Sequence, residues 1–260
     1  MKVLKKLSQD GRPYYKLTEA VSLTIPGDIH IPMQDQDAVD AALKFAAKDG
    51  SWLFITGDLI DYYWLSSWPK SRELTTSAGY TNTLKAIEAL VLTIDNFGIP
   101  GVVYGAGNHE ERVNALSRKF PGFDGNWYWM FEKVLPENWV YLDHGYRCEL
   151  AQKSVNGLPI IIEHGDRAQY GGVPSAEKLV TAYPGQCTII GHNHRIQQAA
   201  KTTWKKGTPT ISAAYTVGHL SDIKQNNYAA NPNWQQGWAS VSSAGLVQQH
   251  LYDKGKIIYG

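Results

Sequence analysis

The chain reads as an α/β protein, and three observations say so. Strand and helix candidates alternate through the first half, strand candidates dominate the second, and no repeat, low-complexity tract or linker divides the 260 residues. Two sheets packed face to face, with helices outside, would satisfy both halves. A single domain spanning residues 1–260 is the expected organisation, since a chain of this length can bury a substantial core.

Each element follows from local pattern. Residues 21–26 are an apolar run of strand length. Residues 35–48 read as a helix, with Val39, Leu43 and Ala46 at three- and four-residue spacing, and residues 51–56 return as a strand. Residues 81–97 place Leu84, Ile87, Leu90, Val91 and Ile94 on one helical stripe that closes at Gly98, and residues 100–104 form the next strand. This βαβαβ order favours parallel strands joined by helical crossovers. Strand candidates then fall at residues 139–142, 147–151, 159–163 and 187–190, with shorter ones at 208–213, 238–243, 245–252 and 256–259; residues 175–182 read as a helix. Residues 61–80, 120–131 and 214–237 fit no regular element. They carry aromatic residues, among them Trp64, Trp68, Trp127, Trp129 and Trp234, and loops of this length tend to be functional.

Composition narrows the class. With 25 basic and 24 acidic residues the net charge is +1, so no global field advertises nucleic acid or an anionic membrane as the main partner. No run of about 18 apolar residues offers a membrane span. Residues 1–7 are basic but lead into no apolar stretch of signal-peptide length, and Cys148 and Cys187 each sit in a strand-like run where a buried thiol is the common outcome. A reduced, cytoplasmic protein is expected.

Five short segments end apolar runs: Gly27-Asp28-Ile29-His30, Gly57-Asp58-Leu59-Ile60-Asp61, Gly107-Asn108-His109-Glu110, His164-Gly165-Asp166 and Gly191-His192-Asn193-His194. At the carboxyl ends of strands in an open α/β sheet such residues share one edge and converge. Taken singly, an Asp there is more often a cap and Asn108 beside a glycine a turn. Five of the eight histidines nevertheless fall inside the segments, and that coincidence favours a metal site. Imidazole and carboxylate donors without thiolate suit Mn, Fe, Zn, Ni or Co.

In this order the segments resemble the calcineurin-like metallophosphoesterase family, over residues 27–194. The resemblance implies a four-layer α/β/β/α sandwich of two mixed sheets, with two divalent metal ions at the strand ends, manganese foremost. Carried over by motif position, Asp28, His30 and His194 would hold the first metal, Asn108, His164 and His192 the second, and Asp58 would bridge them. A hydroxide between the metals would attack phosphorus in line. His109, one residue after a ligand, is the general-acid candidate, and Asp61 matches the family aspartate that pairs with it. Arg195 follows the last ligand and is the foremost phosphate contact, with Asn108 beside it; Arg112 and Arg167 are weaker candidates.

One departure narrows the field. Phosphoprotein phosphatases of the superfamily carry Arg directly after the second aspartate of the second motif, where this chain has Tyr62, and the tyrosine spacing of purple acid phosphatases is absent. A phosphodiesterase is expected, with a phosphomonoesterase, a nuclease or a catalytically silent metal-binding scaffold as alternatives. The substrate is expected to be a small phosphoester or nucleotide. Nucleic acid stays open, although the balanced charge gives no sign of it. The aromatic loops offer a lid, a base-stacking platform or a homodimer face.

Overall fold

The computed structural model describes residues 2–7, 11–65, 76–119, 134–166, 174–222, 224 and 233–259. The chain enters through a hairpin-like pair, β1 (Val3–Leu7) and β2 (Pro13–Leu17), then runs β3 (Leu23–Pro26), α1 (Gln36–Asp49), β4 (Trp52–Ile55), α2 (Thr76–Asn96), β5 (Val102–Gly105), α3 (Glu111–Lys119) and β6 (Val140–Leu142). Next come β7 (Arg147–Lys153), β8 (Pro159–Glu163), α4 (Ala176–Ala182), β9 (Cys187–Ile190), β10 (Gln197–Lys205) and β11 (Thr208–Thr216). The last three strands are β12 (Gly237–Val241), β13 (Val247–Asp253) and β14 (Lys256–Tyr259).

These strands form two mixed sheets, in the orders β1-β2-β7-β8-β9-β11-β10 and β14-β13-β12-β3-β4-β5-β6. The expected mixed α/β sandwich is therefore present. Its layers follow from the period-two alternation of side chains along each strand. In β4, Leu53 and Ile55 face α1 and α2, where Val39, Leu43, Ile87 and Leu90 cover them. Phe54 faces the other way, into a core between the sheets shared with Leu23, Ile25, Val103, Cys148, Ile160, Ile162, Cys187 and Ile189. On the far side, Ile190 and Ala214 lie under Leu179 and Val180 of α4.

Helix α1 shows why the element forms where it does. Asp35 stands in extended conformation as N-cap and accepts the backbone N–H groups of Asp37 and Ala38, while Gly50 ends the helix in the left-handed region at φ 62°.

Several expectations need correction. Strands β1, β2 and β10 and helix α3 lie in stretches where no element was expected. Their signals are weak: β1 is largely exposed, β2 buries only Tyr15 and Leu17, and Val113 is the one buried residue of α3. The stretch 61–80 is not wholly irregular, since Tyr63–Leu65 makes a 3-10 turn and α2 begins at Thr76, five residues before the expected start. Gly79 lets that helix pass the Trp64 indole, which a Cβ there would approach to 3.2 Å. Likewise residues 214–216 continue β11. Residues 66–75, 120–131, 223 and 225–232 of the expected loops, with Trp68, Trp127 and Trp129, lie outside the described residues.

Candidate metal centre

Strands β3, β4 and β5 are parallel neighbours in one sheet, and β8 and β9 are parallel neighbours in the other. Their carboxyl ends carry the five segments to one edge of the sandwich. The turn each segment makes is tight: His30, Asp58, His192 and His194 all adopt positive φ, at 55°, 48°, 63° and 57°. That region is disfavoured for residues with a Cβ, and such residues concentrate where surrounding contacts over-determine them.

Those contacts are present. His30 N–H donates to Asp58 O at 2.9 Å, and Asp61 N–H donates to Ile31 O at 3.0 Å, so the first two loops are stitched together. The buried Glu110 carboxylate accepts backbone N–H groups from Asp58 (3.0 Å), Ile60 (3.0 Å) and Gly107 (2.7 Å), clamping the second loop to the third. Glycine at 107 and 191 is required by close approach: a Cβ would lie 2.2 Å from Asp58 Oδ1 and 2.6 Å from Asp28 Oδ1 respectively.

The expected ligands converge into two groups, and a third cluster of donors, His30, Asp61 and His109, adjoins them. In the first, His194 Nε2 lies 2.9 Å from Asp28 Oδ2 and 3.2 Å from His30 Nε2. In the second, His164 Nε2 lies 3.0 Å from Asn108 Oδ1 and 3.4 Å from Asp58 Oδ2, and the His192 ring centroid is 5.0 Å from that of His164. Each of the two triads Asp28, His30, His194 and Asp58, His164, His192 brings one donor atom per residue within 4.8 Å of the others. Two imidazole nitrogens and a carboxylate oxygen aimed at one point in a buried site are costly unless something positive lies between them. The all-nitrogen and oxygen donor set fits a divalent first-row ion, and the two thiols belong to the core between the sheets.

Electrostatics agree with that fit. Burial opposes ionisation of Asp58, yet the charges of His109, His164 and His30 outweigh it and hold the carboxyl well below the usual carboxylate range. Burial likewise opposes charge on His164, but Asp58 and Asp28 raise it to about 10. The rise at His164 reports concentrated negative charge, which here holds a proton that a bound cation would displace. Burial lowers His192 and His194, favouring the neutral imidazole that a metal ligand must be.

Beside the triads stands His109. Its Nδ1 lies 2.8 Å from the Asp61 carbonyl oxygen and 3.1 Å from Asp61 Oδ2, and its Nε2 is 3.7 Å from Asp58 Oδ2. The ring is thus anchored through Nδ1, and its Nε2 lies near the Asp58 carboxylate of the second triad. Burial lowers the His109 pKa, but Asp58 and Asp61 more than reverse this and raise it to about 9. Asp61 is shared, because its Oδ2 also lies 3.0 Å from His30 Nδ1. Arg112 closes the group: Nη1 donates to the Asp61 carbonyl at 2.7 Å and Nη2 lies 3.1 Å from His109 Nε2.

The remaining candidates are placed differently. Arg195 is half-buried with its backbone N–H held by Asn193 Oδ1 at 3.0 Å, and its guanidinium makes no hydrogen bond to the triads among the described residues. Trp64 is buried in the core with α2, so it is no base-stacking platform. Arg167 lies outside the described residues. Sequence reasoning gave no role to Glu110, His144 or His219. His144 Nε2 pairs with Asp166 Oδ2 at 2.7 Å on the His164 side. His219 is fully buried with its ring centroid 5.3 Å from that of His194, and Ser221 N–H donates to its Nδ1 at 3.2 Å. Neither has a recognisable spacing to mark it.

A family model described as calcineurin-like phosphoesterase matches residues 22–201, a span that takes in all five segments. No curated protein matches the chain.

Proposed function

The chain belongs to the calcineurin-like phosphoesterase family, and we propose that it is a metal-dependent phosphodiesterase acting on a small phosphoester or nucleotide. The family implies a hydrolase of phosphoester bonds. The observation that carries the reading is the pair of triads with His109 between them and Arg112 at its side. Asp28, His30 and His194 would hold one divalent ion, Asn108, His164 and His192 a second, and Asp58 would reach both. Bound there, the ions supply an activated water and neutralise phosphoryl charge.

The protein's own residues supply the rest. Asp61 fixes the His109 ring through Nδ1, so Nε2 can pass a proton to a departing alkoxide oxygen. With a pKa raised to about 9, that nitrogen stays charged near neutrality. A proton donor on the leaving-group side suits an alkoxide, which departs poorly unprotonated. Tyr62 in place of the phosphatase arginine, itself buried, removes one phosphate clamp expected of a protein phosphatase. Manganese is the first ion to try, with Fe, Zn, Ni or Co as alternatives.

The test is hydrolysis of bis(p-nitrophenyl) phosphate beside p-nitrophenyl phosphate by metal-stripped protein reloaded with Mn²⁺. We expect diester turnover that needs metal and falls roughly 100-fold or more in His109→Ala, and further in Asp58→Asn. Preference for the monoester would replace the reading by a phosphatase. No turnover with both ions bound would replace it by a metal-binding scaffold.

A further inference from the structure

Strand β10 is an open edge of its sheet. It runs nine residues, from Gln197 to Lys205, and among the described residues only β11 pairs with it. Lys206 and Gly207, at φ 51° and 81°, make the two-residue turn between Lys205 and Thr208. The pair flanking such a turn exchanges both backbone hydrogen bonds, and along the ladder every second pair does the same. Trp204 stands opposite Pro209, which has no N–H, and so falls in the other set. Gln198, Ala200, Thr202 and Trp204 therefore turn their N–H and C=O groups away from β11, to the open side. A long edge of this kind is a template for a further strand, and monomeric proteins blunt it with bulges, proline or charge. Here the nine pairs with β11 run without a bulge, the strand has no proline, and Lys201 turns to α4, where Nζ donates to Thr181 Oγ1 at 3.2 Å. The opposite face carries Trp204, 70% exposed, and beside it Ile211 of β11, 45% exposed and paired with Thr202.

We propose that β10 pairs antiparallel with β10 of a second copy of this chain, about a twofold axis at Thr202, so that two seven-stranded sheets become one continuous sheet. The strand is complementary to itself in that register, which is what names the occupant. Thr202 meets Thr202 at the axis, Trp204 of each copy lies over the small Ala200 of the other, and Lys201 faces Thr203. Threonine pairs and an aromatic ring over a small neighbour are favourable across strands, and Ile211 of each copy extends the same face outward from the axis. Other registers are worse. A shift of one residue sets outward backbone groups against inward ones, and a shift of two in either direction brings Lys201 opposite itself or opposite Lys205, where like charges repel.

The test is sedimentation velocity of the full chain over a dilution series reaching about 100 µM, with Tm measured for every variant. We expect the wild type to dimerise. Thr202→Pro keeps the ladder to β11, which does not use the N–H of residue 202, but removes two symmetry-related hydrogen bonds at the axis; dimerisation should weaken roughly 10- to 100-fold. Thr202→Lys and Thr202→Glu should each weaken it about fivefold, because like charges then meet at the axis, and an equimolar mixture of the two should recover it. A wild type that stays monomeric throughout the series overturns the proposal and needs no variant to fold. Dimerisation unchanged in all three variants places the contact elsewhere and also overturns it. A Lys and Glu mixture no tighter than either variant alone overturns the axis at Thr202.

Discussion

Asp61 sets two imidazoles at once. Its Oδ2 lies 3.0 Å from His30 Nδ1 and 3.1 Å from His109 Nδ1, so each ring is turned to offer Nε2 to the site. An Asn there could still place its carbonyl oxygen between the rings, but it would remove the negative charge that holds both and turn an N–H group toward Arg112, whose Nη1 lies 3.7 Å from Oδ1. Asp61→Asn is therefore expected to lower turnover about 100-fold and to weaken the first-bound metal about 10- to 100-fold, followed by single-turnover kinetics and metal titration calorimetry. Near-normal values in both would reduce Asp61 to a loop cap. The candidate ligands are readable in the chain because glycine, acid and imidazole recur at fixed offsets after apolar runs. The sharing of Asp61 was not, since it depends on two rings 79 positions apart by number, His30 and His109, lying edge to face with centroids 4.6 Å apart. Glu110 was equally opaque, because its three backbone partners are brought to it by folding.

Among elements, legibility followed apolar content. Helix α1 carries its stripe and both caps and was found nearly to the residue. Strand β10 and helix α3 are polar, and pairing or packing rather than composition forms them; β10 exists through its antiparallel register with β11. Strand β13 carries an informative exception to the apolar rule, His250, buried against Phe45 of α1 and Trp238 of β12, with Nε2 2.8 Å from Ser240 Oγ. Burial lowers its pKa to about 4. A histidine depressed in the folded state contributes in full above its unfolded pKa near 6.5 and loses that contribution as pH falls toward 4. Chemical denaturation should therefore show the wild type losing about 2–3 kcal/mol more than His250→Phe between pH 7 and pH 4. Parallel pH profiles would show that the folded protein tolerates the charged ring.

At the scale of the whole molecule, each triad draws on both sheets. Asp28 and His30 follow β3 and Asp58 follows β4 in one sheet, whereas His164, His192 and His194 follow β8 and β9 in the other. An ion bound by either triad ties the sheets together at one edge. Saturation at about 100 times the dissociation constant contributes about 2.7 kcal/mol, so chelation should lower Tm by roughly 5–10 °C in a chain of this size. A Tm indifferent to chelator would show that the triads hold no ion.

Away from that edge, Cys148 and Cys187 lie in the core between the sheets, paired with Ile162 and Ile160 on opposite sides of β8. Burial raises both thiols far above their ordinary range, so neither reacts while the sandwich is closed. With a strand between them, they are also too far apart to join as a disulfide without backbone movement. Oxidant must therefore wait for the sheets to part, and would then take each sulfur separately up the sulfenic and sulfinic ladder. An ion bound at the rim would then act as a lock on the chemical ageing of the interior: protein starved of metal is expected to accumulate oxidised cysteine faster than protein loaded with it.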